Sequence, residues 1–178
     1  MEKIEIRKAT INDIDQLQKI ARQTFVETYA SSNSEENMNV YLEEGFSTEK
    51  INSELMDENA EFYFAELNNH VIAYLKVNAG DGQTEIKKEN SLEIERIYVL
   101  KEFQGKRIGQ MLYDKAVEIS KQKHVDFIWL GVWEKNPAAI GFYKKNGFVE
   151  FDKHVFKLGN EDQTDIMMKL NLNKNSSS

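Results

Sequence analysis

The sequence predicts an α/β (α+β) protein in which helices flank a mixed β-sheet. Two observations support this prediction. Strand-like apolar runs and helical patterns follow one another in the order strand, helices, two strands, strand, helix, strand, helix, two strands. The chain has 178 residues, of which 40% are hydrophobic, and this suits one domain with a substantial core. We therefore expect a single domain over residues 1–170 and a polar tail over residues 171–178.

The N-terminal half is expected to contain one strand, three helices and a β-hairpin. KIEIRKA alternates as a strand does, and Thr10 with Asp13 resembles the capped start of the first helix. Two apolar runs around the turn Asn68-Asn69 predict the hairpin. The expected ranges are 3–9 for the strand, about 34–46 and 48–56 for the second and third helices, and 60–67 and 70–77 for the hairpin. The polar segment NAGDGQTEIKKEN is expected to be the least structured internal part.

The strand predicted over residues 91–100, SLEIERIYVL, changes its alternation near Glu95 and Arg96. The apolar residues before this point share one phase, and those after it share the other. A slip of one residue is what a β-bulge produces in a sequence. A strand that is buried on both faces would also fit, and the sequence leaves both interpretations open.

Further elements follow this strand. FIWLGVW, residues 127–133, is almost entirely apolar, as a central strand covered on both sides would be. The segment 136–148 predicts a short helix, because Asn136 suits the N-cap, Pro137 the first helical position and Gly147 a left-handed C-cap. Two further strand patterns predict a closing antiparallel pair.

Composition excludes several classes of function. The formal net charge of −7 argues against nucleic acid as the main partner and is compatible with a cationic small molecule. The chain has no cysteine, which excludes disulfides and thiolate chemistry, and its three histidines show no metal-ligand spacing, so no metal is expected. We find neither a signal peptide nor an apolar run of membrane-spanning length, and we expect a cytoplasmic protein without a membrane partner. The oligomeric state stays open, a homodimer included.

The segment FQGKRIGQML, residues 103–112, places two glycines beside two cations before a helical apolar pattern. A tight turn before a helix would explain the glycines. A helix N-terminus with free N–H groups would also bind phosphate, because glycine lets an anion approach the backbone closely. The segment matches neither a P-loop nor a dinucleotide-binding G-x-G-x-x-G.

Residues 96–118 and 130–148 together resemble the GCN5-related N-acetyltransferase (GNAT) superfamily. Its signature is Q/R-x-x-G-x-G/A after a bulged strand, then N-x-x-A-x-x-F-Y-x-x-x-G-F. The first motif matches Gln104 to Gly109, with Arg107 in place of its first glycine, and the second matches Asn136 to Phe148 without a gap. The resemblance implies the GNAT fold, with a mostly antiparallel sheet and a bulged central strand.

A narrower similarity comes from SSNSEENMNVYLEEGFSTEKINSEL, SLEIERIYV and IWLGVWEKN. These segments resemble the bacterial PaiA-type spermidine/spermine N-acetyltransferases. This resemblance implies direct transfer of an acetyl group from acetyl-CoA to a primary amine of a polyamine in a ternary complex. Another small amine, a protein N-terminus, or acyl-CoA binding without turnover remain alternatives.

The family resemblance implies a set of cofactor-binding residues. The backbone of the bulged strand would hold the pantetheine arm, and the amides of the glycine turn would hold the pyrophosphate. The Cβ of Arg107 narrows the path by which a phosphate approaches the backbone, but the residue retains its N–H. Its guanidinium could also bind phosphate directly. The residues implied are Ile97, Tyr98, Val99, Gln104, Gly105, Lys106, Arg107, Ile108, Gly109, Asn136, Tyr143 and Lys145. Asn136 also fits as an N-cap alone, and Lys145 as a surface lysine.

Tyr143 matches the family's general acid, which would protonate the departing thiolate, although a core tyrosine would also fit. An amine with a lysine-like pKa costs about 4–5 kcal/mol to deprotonate at pH 7, so a base or a water path is needed near it. Glu93 and Glu95 flank the predicted bulge and are the candidates, with a surface pair as the alternative. The glutamates of the second helix could add an anionic wall for a polycation, although a run of charges on a helix is usually a solvated face: Glu35, Glu36, Glu43 and Glu44.

Overall fold

The computed structural model describes residues 3–87 and 89–172. Within them, seven strands form one sheet in the order β1-β2-β3-β4-β5-β7-β6. The strands are β1 (Ile4–Lys8), β2 (Ala60–Leu67), β3 (His70–Ala79), β4 (Ser91–Val99), β5 (Phe127–Trp133), β6 (Val149–Leu158) and β7 (Glu161–Asn171). The helices are α1 (Ile14–Tyr29), α2 (Glu35–Gly45), α3 (Thr48–Met56), α4 (Ile108–Gln122) and α5 (Pro137–Lys145).

The sheet is mixed, as expected. Only β4 and β5 pair in parallel, and every other neighbouring pair in the described sheet is antiparallel. The parallel pair is connected by α4, since a crossover must return the chain to the same end of the sheet. Helices α1 and α4 both pack on β3. The predicted fold class is confirmed.

The N-terminal helices begin where side chains cap them. Thr10 and Asp13 form a reciprocal capping box around a short 3-10 turn, and α1 then begins at Ile14. The hydroxyl of Ser34 accepts from the N–H of Asn37 at the start of α2, and that of Ser47 accepts from the N–H of Lys50 at the start of α3. These caps satisfy N–H groups that a helix leaves without partners.

The bulge in β4 is confirmed. Lys76 of β3 faces Arg96, whereas the next residue, Val77, faces Ile94. Glu95 is therefore the extra residue on β4. The alternation changes at this position because the bulge turns the following side chains to the other face.

The parallel ladder between β4 and β5 is short. It runs from Ser91 opposite Phe127 to Ile94 opposite Leu130, although β4 continues to Val99 and β5 to Trp133. Beyond the bulge, no pairing joins the two strands in the described chain. The centre of the sheet therefore opens between them.

The polar segment after β3 is better anchored than expected. Gln83 is 1% exposed, and its side-chain carbonyl accepts from the Ser91 hydroxyl at 2.8 Å and from the Trp129 indole N–H at 2.7 Å. A buried acceptor shared by two strands fixes this loop, although its composition is that of a solvated segment. The segment is a loop with one short 3-10 turn, as expected, and its hydrogen bonds fix it around Gln83.

The C-terminal strand extends to the limit expected for the domain. β7 ends at Asn171, which pairs with Phe127, and the N–H of Leu172 donates to the carbonyl of Asp126. The rest of the predicted tail, residues 173–178, lies outside the described residues. The boundary between domain and tail stays a prediction.

Candidate active site

A cavity of about 910 Å³ lies where β4 and β5 separate. Its wall is built from β4, the glycine turn, the start of α4, β5 and α5 on one side. Residues of α1, α2, β6, β7 and the loop after β3 complete it. The opening of the sheet therefore leads into one large site shared by most elements of the fold.

The glycine turn leaves backbone N–H groups free at this cavity. Gly105 has φ +82°, and no other group would lie within 4 Å of a Cβ added there. Arg107 occupies the N-cap position of α4, where no side chain of the described residues caps the helix. A Cβ on Gly109 would meet only Val99, at 3.9 Å. Uncapped N–H groups with open space before them suit a bound pyrophosphate.

Arg107 departs from the family motif in identity but not in backbone conformation. Its φ is +66° and its ψ is +16°, in the left-handed region that glycine usually supplies. Holding a non-glycine residue there costs on the order of 1–2 kcal/mol. Arg107 lines the cavity. The N–H that the motif needs is therefore kept, and a cation is added beside it.

The C-terminal end of β4 presents backbone groups to the same cavity. Ile97, Tyr98 and Val99 follow the bulge and line the cavity, in the part of β4 that has lost its pairing with β5. The Gln104 side chain donates to the carbonyl of Val99 at 3.1 Å and so ties the glycine turn to the strand. An extended ligand could use the remaining free backbone groups as a neighbouring strand would.

Tyr143 is positioned by the two ends of α5. The side chain of Asn136 accepts from the N–H of Ala139 at 3.2 Å, so its role as N-cap is confirmed. At the other end Gly147 has φ +99°, and the N–H of Phe148 donates to the carbonyl of Tyr143 at 3.0 Å. This is a Schellman motif, and it requires the left-handed residue that glycine provides.

The Tyr143 side chain is 5% exposed and lines the cavity. Its ring lies edge-on to Phe142 and Phe148, with centroids 5.2 and 5.5 Å away. Its hydroxyl makes no hydrogen bond with any residue of 3–87 or 89–172. Burial raises the pKa of Tyr143, and the nearby phenols of Tyr98 and Tyr113 raise it further. The hydroxyl is therefore protonated at neutral pH.

Glu93 and Glu95 both reach the cavity, in different surroundings. Glu93 is 4% exposed and accepts from the N–H of Thr84 at 2.8 Å, the Thr84 hydroxyl at 2.6 Å and the Asn78 amide at 3.0 Å. Burial raises the pKa of Glu93, and these hydrogen bonds only partly oppose it.

Glu95 lies among cations. Lys76 is 2.7 Å from one carboxylate oxygen and Arg96 is 3.4 Å from the other, and the Asn78 amide donates to it at 2.8 Å. Burial acts to raise the pKa of Glu95, but Arg96 and Lys76 outweigh it, and the pKa falls to about 2. This carboxylate is therefore ionised and strongly held, which makes it a weak proton acceptor.

Most of the predicted site residues lie around the cavity. The exception among the cofactor residues is Lys106, which does not line it and lies 5.9 Å from the centre of the Phe103 ring. The anionic wall expected from α2 is wrong, because its glutamates are solvent-exposed and Tyr41 is the α2 residue that reaches the cavity. Helix α2 turns its charged face to solvent and its aromatic residue inward.

Several cavity residues were not predicted from the sequence. They come from elements that are distant in the chain: Tyr29, Tyr41, Glu85, Trp133, His154 and Asp165. His154 lies 2.5 Å from the Glu85 carboxylate, and Asp165 faces His154 across the β6–β7 ladder. No local motif marks these residues, because strand pairing alone brings them together.

Two classes of site are not found. Among residues 3–87 and 89–172, no group of three or more acidic or histidine side chains could hold a metal ion. None of the helices in the described part of the chain is long and apolar enough to cross a bilayer.

Comparison with known proteins agrees with this geometry. Residues 14–148 match the model of the acetyltransferase (GNAT) family. Over 166 residues the chain is 37% identical to an uncharacterised N-acetyltransferase in the pepI 3′ region of Lactobacillus delbrueckii subsp. lactis, covering 93% of this chain and 96% of the relative. It is 30% identical over 170 residues to spermidine N(1)-acetyltransferase of Thermoplasma acidophilum, with coverage of 93% and 96%.

A solved structure is similar over almost the whole fold. The crystal structure of the PaiA N-acetyltransferase from Thermoplasma acidophilum in complex with coenzyme A matches with a TM-score of 0.78 and 28% identity. The match covers 95% of this chain and 99% of that protein. The open sheet, the uncapped glycine turn and these matches lead to one conclusion: the chain belongs to the acetyltransferase (GNAT) family and is an acetyl-CoA-dependent N-acetyltransferase.

Proposed function

We propose that the protein acetylates a primary amine of a polyamine such as spermidine or spermine, by direct attack on acetyl-CoA in a ternary complex. The observation that carries this proposal is the acidic character of part of the cavity wall. Four carboxylates line it: Glu85, Glu93, Glu95 and Asp165. A polycation would be attracted to such a wall, since opposite charges reinforce each other where water is partly excluded.

Aromatic rings complete the same wall. The ring centres of Tyr29 and Trp133 are 4.5 Å apart, and Tyr41 stacks on Phe25 at 4.5 Å. Ammonium groups bind favourably to the faces of such rings, and the methylene segments between them pack on apolar surface. The polyamine assignment also rests on similarity to the spermidine N(1)-acetyltransferase of Thermoplasma acidophilum.

Most of the predicted site residues have a role in this proposal. Acetyl-CoA, when bound, supplies an activated acetyl thioester. The backbone of 97–99 and the amides of 104–109 bind and orient it, with Asn136 and Lys145 at its edge. Tyr143 holds a proton for the leaving sulfur. Glu93 is the more basic of the two candidate bases, because burial raises its pKa whereas the pKa of Glu95 is about 2. A cytoplasmic site of action is part of the proposal, since acetyl-CoA is supplied there.

The test is release of free thiol from acetyl-CoA with a panel of amines. We expect spermidine and spermine to give a higher kcat/KM than butylamine or a peptide with a free N-terminus. The preference should fall as salt rises, because exposed charges are screened beyond about 10 Å at 0.1 M salt.

A preference for the peptide or a monoamine would replace the polyamine by that acceptor. A preference for spermidine that does not change with salt would contradict recognition by charge. Binding of acetyl-CoA without turnover on any amine would instead favour a regulatory acyl-CoA-binding module.

A further inference from the structure

Asp165 is a cavity carboxylate with no partner of its own. It lines the cavity from β7, yet it forms no hydrogen bond and no ion pair with any residue of 3–87 or 89–172. Glu93 and Glu95 differ, because Thr84, Asn78 and Lys76 occupy their oxygens. The Asp165 side chain is half-buried. Partial removal of a carboxylate from water without a compensating partner is unfavourable, so such a group often has a functional reason to be there.

The position of Asp165 is set by the sheet. It pairs with Trp133 at the end of β5, and one of its carboxylate oxygens lies 3.1 Å from where a Cβ of Gly131 would be. Gly131 comes directly after Leu130, the last residue of β5 that pairs with β4. The carboxylate therefore lies beside the part of β5 where the sheet opens, and the absence of a side chain at Gly131 makes room for it.

The reaction needs a proton acceptor that the acceptor amine can reach from the cavity. A lysine-like amine is almost entirely protonated at pH 7, and only its neutral form attacks a thioester. A base for this step must be ionised, reachable from the cavity and free of competing hydrogen bonds. Asp165 meets these conditions better than the two glutamates of β4.

We propose that Asp165 is the catalytic base that takes a proton from the ammonium group of the acceptor. This inference rests on the proposed transfer to a cationic amine, whichever amine that is. It adds a catalytic residue that neither sequence motif contains.

The proton and bond changes balance. The ammonium nitrogen gives one proton to a carboxylate oxygen of Asp165, and its lone pair then forms the bond to the acetyl carbon. The bond between that carbon and sulfur breaks, and the Tyr143 hydroxyl gives its proton to the sulfur. The nitrogen loses a second proton as the amide forms, which restores the Tyr143 hydroxyl. Asp165 releases its proton to solvent, so one proton leaves for each amide formed.

The surroundings of Asp165 suit this role. Burial raises its pKa to about 6, the cation that His154 forms on protonation would lower it, and the negative charge of Glu85 raises it. The carboxylate is thus ionised at pH 7 and still more basic than an ordinary aspartate. The other titratable groups that interact with it are phenols of three elements: Tyr29 of α1, Tyr41 of α2 and Tyr98 of β4.

The test compares Asp165→Asn with Asp162→Asn. Asp162 lies on the same strand, and its carboxylate is 63% exposed in a surface ion pair with Lys157, so the control removes one charge outside the cavity. We expect Asp165→Asn to lower kcat/KM for the amine at pH 7 by about 10²–10⁴-fold, the range for loss of a general base. The control should stay within threefold of the unmodified protein.

The pH profile separates a base from a structural residue. In the unmodified protein, kcat/KM should rise with pH through about 6 as Asp165 ionises. This rise should be absent in Asp165→Asn. The difference in kcat/KM between the variant and the unmodified protein should shrink as the pH approaches about 10, where the amine loses its proton unaided. Affinity for acetyl-CoA, measured by calorimetry, should be unchanged.

A second measurement does not need turnover. In the free protein, ¹³C NMR of labelled aspartate carboxyls should show one resonance that titrates near pH 6 and disappears in Asp165→Asn. A loss of less than tenfold, a retained acidic limb or an Asp165 midpoint near 4 would overturn the proposal. Because the panel of amines is measured first on the unmodified protein, failure of the polyamine assignment is seen separately from failure of Asp165.

Discussion

The cavity has two sides that are built in different ways. The side that we propose binds the cofactor, called the cofactor side, consists of the end of β4 (97–99), the glycine turn (104–109) and the start of α5, and it offers mainly backbone groups. The side that we propose binds the amine, called the acceptor side, is the part of the wall formed by side chains from α1, α2, the loop after β3, β6 and β7. One side depends on two short segments, whereas the other depends on the whole sheet bringing distant side chains together.

This difference shows why the cofactor is easier to identify than the acceptor. Backbone N–H groups are the same in every sequence, so a site built from them needs only glycines and a helix start at fixed spacing. A site built from side chains can change its ligand through substitutions such as those at Glu85 or Asp165, without moving the backbone. The identity of the acceptor amine therefore depends on residues that belong to no common short motif.

The largest expected effect is the loss of acetyl-CoA binding when the cofactor side is obstructed. In Gly109→Trp, the indole would fill the space before the first turn of α4, where a Cβ now meets only Val99 at 3.9 Å. We expect acetyl-CoA binding to be abolished in a folded protein, as measured by calorimetry and circular dichroism. The matched control is Gly141→Trp, because Gly141 is exposed in α5, lies outside the cavity wall and also has open space around it. Equal affinity in the two variants would contradict the phosphate site.

The next effect concerns Tyr143, which lies between the two sides. Tyr143→Phe removes the hydroxyl and keeps the ring packed against Phe148. If the hydroxyl protonates the sulfur, kcat should fall by about 10²–10⁴-fold while affinity for acetyl-CoA changes little. Tyr113→Phe is the control, since Tyr113 is also 5% exposed but does not line the cavity. Full activity of Tyr143→Phe at every pH would show that another group is the acid.

The third effect is on stability and concerns the support of the acceptor side. Glu95→Gln leaves Lys76 and Arg96 facing one remaining carboxylate, that of Glu54. We expect the free energy of unfolding to fall by on the order of 3 kcal/mol, because two buried cations are then left with a single carboxylate between them. Glu118→Gln, which removes an exposed ion pair with Lys115, should cost less than about 1 kcal/mol.

The pH dependence of Glu95→Gln sharpens this test. The folded pKa of about 2 lies below the ordinary 4.5, so the stability from Glu95 is present above pH 4.5 and is lost as the pH falls towards 2. Urea unfolding of the unmodified protein should show this loss, and the variant should show less of it. Unchanged stability together with a large loss of kcat would instead favour Glu95 as the proton acceptor.

The fold could be predicted from the sequence because its signals are local. The capping pair Thr10 and Asp13, the change of alternation at Glu95 and the glycine at 147 each determine the backbone within a few residues. That the glycine turn and the end of β4 lie at one cavity could be predicted for the same reason. Lys106 is the exception, because proximity in the turn did not determine where its long side chain lies.

The acceptor side could not be predicted because its residues meet only in the folded sheet. Asp165 reaches the cavity through its pairing with Trp133, a contact between residues more than 30 positions apart. Gln83 gives a similar case, since a polar residue in a polar loop became the buried acceptor of two hydrogen bonds. The glutamates of α2 do not form the anionic wall that their sequence could have supplied. They face solvent, because a run of charges on a helix most often faces water.

The separation of β4 and β5 has a consequence for how long the protein survives. Beyond Ile94 the sheet has an internal edge whose backbone groups lack a strand partner in the described chain. A ligand that completes this edge binds the folded chain only, so its binding free energy adds to that of folding. At a concentration of 100 Kd the gain is about 2.7 kcal/mol. The supply of acetyl-CoA would then set the fraction of unfolded molecules open to proteases, so a cell short of this metabolite would also hold less of the enzyme.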